Sequence, residues 1–414
     1  MFDMFVRASA RLANNSSLRN SSHSQPFCST VSRNVIKACH GMPFWGFPTM
    51  VSFTRRCGLL ALSLPFVVLG GTALPALATA PAPLHMNDTQ TVGTHNSYKQ
   101  PMSEAVRTEV AAADPQLALR LDYSHRSLRE QLDHGVRQLE IDVNYDPDGG
   151  YYAKDKSDPE LLKPGFKVLH MAFSDAASSC ERLVTCLGEI RDWSRAHPHH
   201  VPIMLMFNAK ETADPAHGKA AMMFTEQAFD ALDAEIRSVI PREMLIEPDD
   251  VQGRYPTLRD AVLAGNWPTL AAARGKIFFA LDEHEKKVAI YRGKRKSLEG
   301  RVFFVNTDEN SPAAAYLTIN DPIAEGARIA RDVKAGFIVR TRADADTFEA
   351  RINDTRRREA AFASGAQYVS TDYIWADPRF SGAYTVSLPG KAMVRCNPVR
   401  KPAECVSSRL ASGG

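Results

Sequence analysis

Along the C-terminal four-fifths of the chain, apolar positions fall into two alternating rhythms. Short runs rich in β-branched and aromatic residues occur at 89–94 (TQTVGT), 137–143 (RQLEIDV), 166–171 (FKVLHM), 201–207 (VPIMLMF), 276–282 (KIFFALD), 301–306 (RVFFVN), 336–341 (GFIVRT) and 367–372 (QYVSTD). Between them lie segments with apolar residues three and four apart, at 124–135, 180–197, 224–240, 322–336 and 345–365. Leu128, Leu132 and Val136 share one helical face by this spacing, and so do Ile323, Ala327 and Ala330. Apolar strands alternating with amphipathic helices predict a parallel sheet covered by helices. Eight such runs predict an α/β fold, a closed (β/α)8 barrel of the TIM type, with an open doubly wound sheet as the alternative. No linker rich in Pro, Gly and Ser divides residues 81–414, so the reading is a single domain. The stretch 241–275, with EPDDVQGRYPT and GNWPT, predicts a long excursion after the fourth run.

The first 80 residues follow neither rhythm. Residues 51–80 carry the basic pair Arg55-Arg56, an apolar stretch from Gly58 to Leu77, and small residues at Ala76, Ala78 and Ala80. That order is expected of a cleaved secretory signal. A transmembrane anchor is the alternative, but Pro65, Gly70, Gly71 and Pro75 interrupt the run. Met50 directly precedes the pattern, so 1–49 is expected to be an untranslated or unstructured extension and 50–80 the signal. Thr54-Arg55-Arg56 also admits a twin-arginine reading.

Removing residues 1–80 leaves 43 Lys and Arg against 46 Asp and Glu, a net charge near −3. With no basic stripe or recognition motif, a nucleic-acid partner is not expected. The remaining cysteines, Cys180, Cys186, Cys396 and Cys405, form two close pairs. Disulfides Cys180–Cys186 and Cys396–Cys405 are expected in an oxidising compartment, periplasmic or secreted. Four free thiols are the alternative; zinc is disfavoured because no histidine lies at zinc-type spacing from either pair.

A barrel gathers its chemistry at the carboxyl ends of its strands. The polar residues there are His95 and Asn96, Glu140 and Asp142, His170, Asn208 and Lys210, then Asp282, Asn306, Arg340 and Asp372. Glu140 and Asp142 are two apart, so both point to one face and Leu139, Ile141 and Val143 to the other. Two inward carboxylates repel unless something positive lies between them. A metal ion, a histidine or an arginine would serve; a buried salt bridge to Arg340 or Lys210 is the structural alternative. Oxygen donors from Asn96, Glu140, Asp142 and Asn208 suit a hard cation such as calcium.

The run GTHNSY (93–98), then LEIDV (139–143), His170 and VPIMLMFNAK (201–210), resembles the catalytic half of phosphoinositide-specific phospholipases C, closest to their bacterial and fungal calcium-dependent branch. GAQYVSTDY (365–373) and RCNP (395–398) extend the likeness over the mature chain. The resemblance implies that His95 and His170 are the catalytic histidines and that Asn96, Glu140 and Asp142 bind calcium. A fourth ligand, usually a glutamate, falls on Asn208, which keeps an oxygen donor but loses a charge; Glu211 lies three residues on.

Cleaving a phosphodiester with an adjacent hydroxyl needs a base, an acid and positive charge against the phosphoryl oxygens. The expected assignment gives the base to Glu140 or His95 and the acid to His170, with Lys210, Arg340, Asp282 and Asp372 around the head group. A single chain acting on phospholipid at a membrane surface is expected. The basic run KKVAIYRGKRK (286–296) could face anionic lipid, with solvent the plainer reading. Two rivals stand beside this reading. A glycerophosphodiester phosphodiesterase would share the barrel and the acidic strand, and a non-catalytic lipid- or sugar-binding barrel would explain Asn208.

Overall fold

The computed structural model describes residues 82–155 and 157–411, so the expected extension at 1–49 and the expected export signal at 50–80 lie outside the described residues. Ten strands occur among them: β1 Thr89–Thr94, β2 Gln138–Asn144, β3 Lys167–Val168, β4 Ile203–Lys210, β5 Ile277–Leu281, β6 Phe303–Asn306, β7 Ala314–Thr318, β8 Ile338–Arg342, β9 Tyr368–Thr371 and β10 Val394–Cys396. Strands β1, β2 and β4 to β9 pair in parallel around a ring that closes between Thr94 and Leu139. This is the expected (β/α)8 barrel, although its membership differs from the sequence reading at one strand.

The run 166–171 is not a barrel strand. Only Lys167–Val168 is extended, and it pairs antiparallel with the end of β2, Val168 against Val143 and Lys167 against Asn144. Gly149, Gly150 and Gly165 all have positive φ, so the chain turns back on β2 instead of crossing over through a helix. Parallel strands need such a crossover and antiparallel ones do not. The eighth barrel strand is β7, which follows β6 with no helix between. Its sequence, AAYLT, is too alanine-rich to signal a strand by propensity, and burial on both faces stabilises it instead.

Helices at Leu128–Asp133, Leu183–Ala196, Glu226–Val239 and Pro322–Ala335 cover the outside, and 345–365 divides into Phe348–Ile352 and Arg356–Ser364. Helix Pro322–Ala335 has both ends written in sequence. Asp321 Oδ1 accepts from the N–H groups of Ile323 and Ala324, Pro322 opens the first turn, and Gly336 closes the helix at φ 112°. Its buried stripe is Ile329 and Val333, whereas Ile323 is 60% exposed, so the face expected from Ile323, Ala327 and Ala330 is corrected. Alanine-rich faces leave that choice to packing. Leu128, Leu132 and Val136 are buried as expected. The excursion at 241–275 is real and holds three short helices, Pro248–Gln252, Leu258–Leu263 and Leu270–Ala273.

Parallel register aligns the inward side chains in layers. The lower layer is apolar: Met204, Phe278, Phe304, Ile338 and Tyr368 are buried there, with the Phe278 ring 6.0 Å from Phe304 and 5.8 Å from Tyr368. Two to four residues further on, at the carboxyl ends of the barrel strands, the inward positions become Glu140, Asp142, Asn208, Asp282, Asn306, Thr318, Arg340 and Asp372. The apolar floor thus makes a dry base for a polar mouth. Gly93 belongs to this inner surface because a Cβ there would stand 2.0 Å from Gln138 Oε1.

Both expected disulfides, Cys180–Cys186 and Cys396–Cys405, are present. The second fastens the tail after β10, whose strand pairs antiparallel with β1. The basic run at 286–296 is partly structural: Lys287 pairs with Glu283 at 3.3 Å and Glu211 at 3.6 Å, and Tyr291 is buried against Asp233, whereas Lys286, Lys294 and Lys296 are exposed. No helix among the described residues is long and apolar enough to cross a membrane.

Candidate active site

His95 and Asn96 lie where β1 turns. Asn96 has φ 45°, a left-handed conformation that asparagine tolerates better than most residues. The turn sends the two side chains to different partners. Asn96 Nδ2 donates to the Tyr123 hydroxyl at 2.7 Å, and the Tyr123 ring stacks on His95 at 5.6 Å.

The His95 imidazole is held from both sides. Its Nδ1 lies 2.8 Å from Asp372 Oδ1, while Arg342 Nη1 stands 3.3 Å from Nε2. A guanidinium only donates, so Nε2 is the acceptor nitrogen and Nδ1 carries the proton. Burial, aided by the Arg342 charge, pushes the ring down to about 3 despite Asp372, which keeps it neutral at physiological pH. Asp372 is held below the usual carboxylate range: burial alone would raise it, but His95 and Arg342 outweigh burial. Behind it, Asp344 accepts from the Asp372 backbone N–H at 2.9 Å and from the Thr371 hydroxyl, and burial raises its carboxyl to about 7.

The acidic pair of β2 faces inward, and each acid meets a cation. Glu140 Oε2 accepts from Arg340 at 2.6 Å, and Asp142 Oδ2 lies 3.0 Å from Lys210 Nζ. The salt-bridge alternative therefore describes both contacts. Burial raises Glu140 to about 7, opposed by Arg340 and reinforced by Asp142. Lys210 is raised because Asp142 and Glu140 outweigh a burial that would lower it. Arg340 also reaches Asn320 Oδ1 at 2.6 Å and Ser370 Oγ at 3.1 Å, which fixes its fork across the mouth.

Asn208 donates from Nδ2 to Glu140 Oε1 at 3.1 Å. Glu211 does not compensate for the missing acid, because it accepts from the Phe224 N–H at 2.7 Å and faces Lys287. Asn96, Glu140, Asp142 and Asn208 nevertheless fit a hard cation. All four offer oxygen, and among the described residues neither buried Asp142 oxygen accepts a hydrogen bond of good geometry. Among the described residues no group of three His, Cys, Asp or Glu is placed to hold a metal ion, and two of these four donors, Asn96 and Asn208, are amides. Asn208→Glu is expected to tighten calcium binding on the order of tenfold, since affinity follows ligand charge; isothermal titration against the unmodified protein checks it.

His170 lies past β3, in a loop instead of on a third barrel strand. Its Nδ1 is 3.0 Å from Asp175 Oδ2, so Nε2 is left for other work. Asp282 accepts from Asn306 Nδ2 at 3.3 Å, and burial raises its carboxyl although Arg340 opposes. Of the residues singled out from sequence, the contacts above link His95, Glu140, Asp142, Asn208, Lys210, Asp282, Asn306, Arg340 and Asp372 at one mouth, with Asn96 joined through Tyr123, whereas His170 is tied to Asp175 in the loop after β3. Those missed are Arg342, Tyr123, Asp175, Lys99 and Asp344. Arg342 was legible: it stands two residues after Arg340, the period of one strand face. The others carry no such signal.

Beside Tyr123 and Asp372 opens a cleft of about 490 Å³, lined also by Met102, Arg107, His125, Arg126, Trp375 and Arg379 among others.

Several solved structures are similar to this chain. A calcium-dependent phosphoinositol-specific phospholipase C from Pseudomonas sp. is 16% identical, with 76% of this chain and 96% of that chain covered and a TM-score of 0.47. A calcium-dependent phosphatidylinositol-specific phospholipase C from Streptomyces antibioticus is 18% identical over 70% of this chain and 95% of that one, at a TM-score of 0.45. The phosphatidylinositol-specific enzyme of Listeria monocytogenes is more distant, at 12% identity, 71% and 90% coverage and a TM-score of 0.39. No curated protein matches the chain in sequence. The family model described as phosphoinositide phospholipase C, Ca2+-dependent, spans residues 84–398, most of the chain, and with the site above it leads to one conclusion: this chain belongs to the calcium-dependent phosphoinositide phospholipase C family.

Proposed function

We propose that His95 is the base and His170 the acid in cleavage of phosphatidylinositol to diacylglycerol and an inositol phosphate, formed first as the cyclic ester. The carrying observation is the state of His95. Its Nδ1 proton is committed to Asp372, and Nε2, the acceptor nitrogen, lies 3.3 Å from Arg342 and 3.7 Å from Glu140, so the attacking hydroxyl takes the place of the Arg342 contact on it. Glu140 is the other candidate for base; its two oxygens accept from Arg340 and Asn208, and the calcium reading assigns it to the ion. Nε2 takes the proton of the attacking inositol hydroxyl, and Asp372 stabilises the imidazolium that results. His170, oriented by Asp175, gives its Nε2 proton to the departing glycerol oxygen. Arg342 and Arg340 face the negative charge that accumulates on the phosphoryl oxygens. Lys210 and Asp282 hold ring hydroxyls.

Calcium, held by Asn96, Glu140, Asp142 and Asn208, would supply positive charge at the phosphoryl oxygens and acidify the attacking hydroxyl. Phospholipid at a membrane surface is the partner in this reading. Export belongs to it as well, supported by two disulfides that suit an oxidising compartment.

The product decides among the readings. Phosphatidylinositol vesicles and glycerophosphoinositol are each incubated with the protein, with calcium or with chelator. Cyclic inositol phosphate from the lipid only with calcium is the expected result. Turnover confined to glycerophosphoinositol would make the protein a glycerophosphodiester phosphodiesterase. Binding of lipid without turnover would leave a non-catalytic barrel.

A further inference from the structure

We infer that Lys99 is a positioning residue that locks the two histidine loops into one arrangement, acting on His170 through Asp175 and on His95 and Asn96 through Tyr123. The inference rests on the proposed roles of the histidines. Its physical basis is a buried ammonium with an unusual set of neighbours.

The Lys99 side chain has no exposed surface. A lysine in that position is costly unless its charge is met and its three donors are used. Lys99 Nζ lies 3.2 Å from Asp175 Oδ2, the same oxygen that faces His170 Nδ1. It also donates to the Tyr123 carbonyl at 3.0 Å and the Gln100 carbonyl at 3.4 Å, and sits 5.0 Å from the Tyr123 ring centre. The same tyrosine stacks on His95 and accepts from Asn96.

The backbone makes the same junction. Gln100 N–H donates to the Ala177 carbonyl at 3.0 Å, Ser179 N–H to Tyr98 at 2.8 Å, and His125 N–H to Lys99 at 2.9 Å. Three segments that carry site residues, 95–100, 123–125 and 170–179, therefore meet around one ammonium.

The charge matters beyond packing. Among the described residues Asp175 Oδ1 has no hydrogen-bond partner, so His170 and Lys99 are the two side-chain supports of that carboxylate. Without the ammonium, a buried anion would stand against the imidazole with one partner, and the ring would lose its fixed orientation.

The test compares Lys99→Met with Arg301→Met. Arg301 is a buried cation paired with Asp230 and Asp233, before β6 and away from the mouth, so its loss reports destabilisation alone. Lys99→Met should lower kcat on phosphatidylinositol by roughly 10–100-fold, with KM within about threefold, and should shift or broaden the His170 Nδ1 proton resonance. Arg301→Met should keep both kcat and that resonance. Unchanged kcat in Lys99→Met, an effect on KM alone, or an equal loss in Arg301→Met overturns the inference. If Lys99→Met does not fold, Lys99→Gln, which removes the charge and leaves Asp175 in place, takes its place; a loss of kcat of roughly tenfold or more in that folded protein supports the inference, and full kcat overturns it. Should the unmodified protein not turn over phosphatidylinositol, the proposed function fails, whereas the His170 resonance in Lys99→Met still decides the link.

Discussion

Replacing His170 with alanine is expected to cut turnover of phosphatidylinositol by roughly 10²–10⁴-fold, the usual contribution of a positioned general acid or base. The fold should survive, because His170 lies in a loop with its side chain 15% exposed and Asp175 keeps Lys99 as a partner. The role can be separated from mere presence. A glycerol alkoxide needs a proton to leave, whereas a phenolate leaves readily without one. On an inositol phosphodiester with a phenolic leaving group, the His170→Ala protein should therefore recover most of its loss. Equal impairment on both substrates would sink the acid role. Near-normal turnover of the lipid would remove His170 from the mechanism.

Removing calcium, or Asp142, the carboxylate proposed to hold it, carries the second large effect. Lewis-acid stabilisation is worth several kcal/mol at a phosphoryl group. Taking about 4 kcal/mol at 1.36 kcal/mol per decade, chelation should cost on the order of 10³-fold in kcat. Asp142→Asn should match it, keep the fold, and bind calcium much more weakly by titration. Asp142 is the informative ligand because its oxygens lack good hydrogen bonds while Glu140 is engaged by Arg340 and Asn208. Full activity in chelator would show instead that Arg340, Arg342 and Lys210 supply the positive charge. The three cations already in the mouth make that outcome physically reasonable, so the measurement is decisive.

Much of this protein was legible along the chain. The barrel followed from alternation, and the acidic pair from its two-residue period on β2, which forces both side chains to one face whatever the surroundings. Both disulfides followed from close cysteine pairs. The errors are equally specific. FKVLHM looked like a barrel strand because its residues favour strands, but pairing direction depends on the connection, and a tight return gives an antiparallel contact. AAYLT was passed over because burial between neighbours, not propensity, makes it a strand.

By itself the sequence determined which groups would share the mouth, since strand period and barrel closure leave His95, Glu140, Asp142, Arg340 and Asp372 nowhere else to point. Only the tertiary structure decided how they are charged and partnered. Arg342 at His95, Arg340 at Glu140, Lys210 at Asp142 and Lys99 beneath Asp175 join residues up to 247 positions apart in the chain. Ionisation depends on burial and on charges a few ångströms away, and neither quantity exists until the barrel has closed.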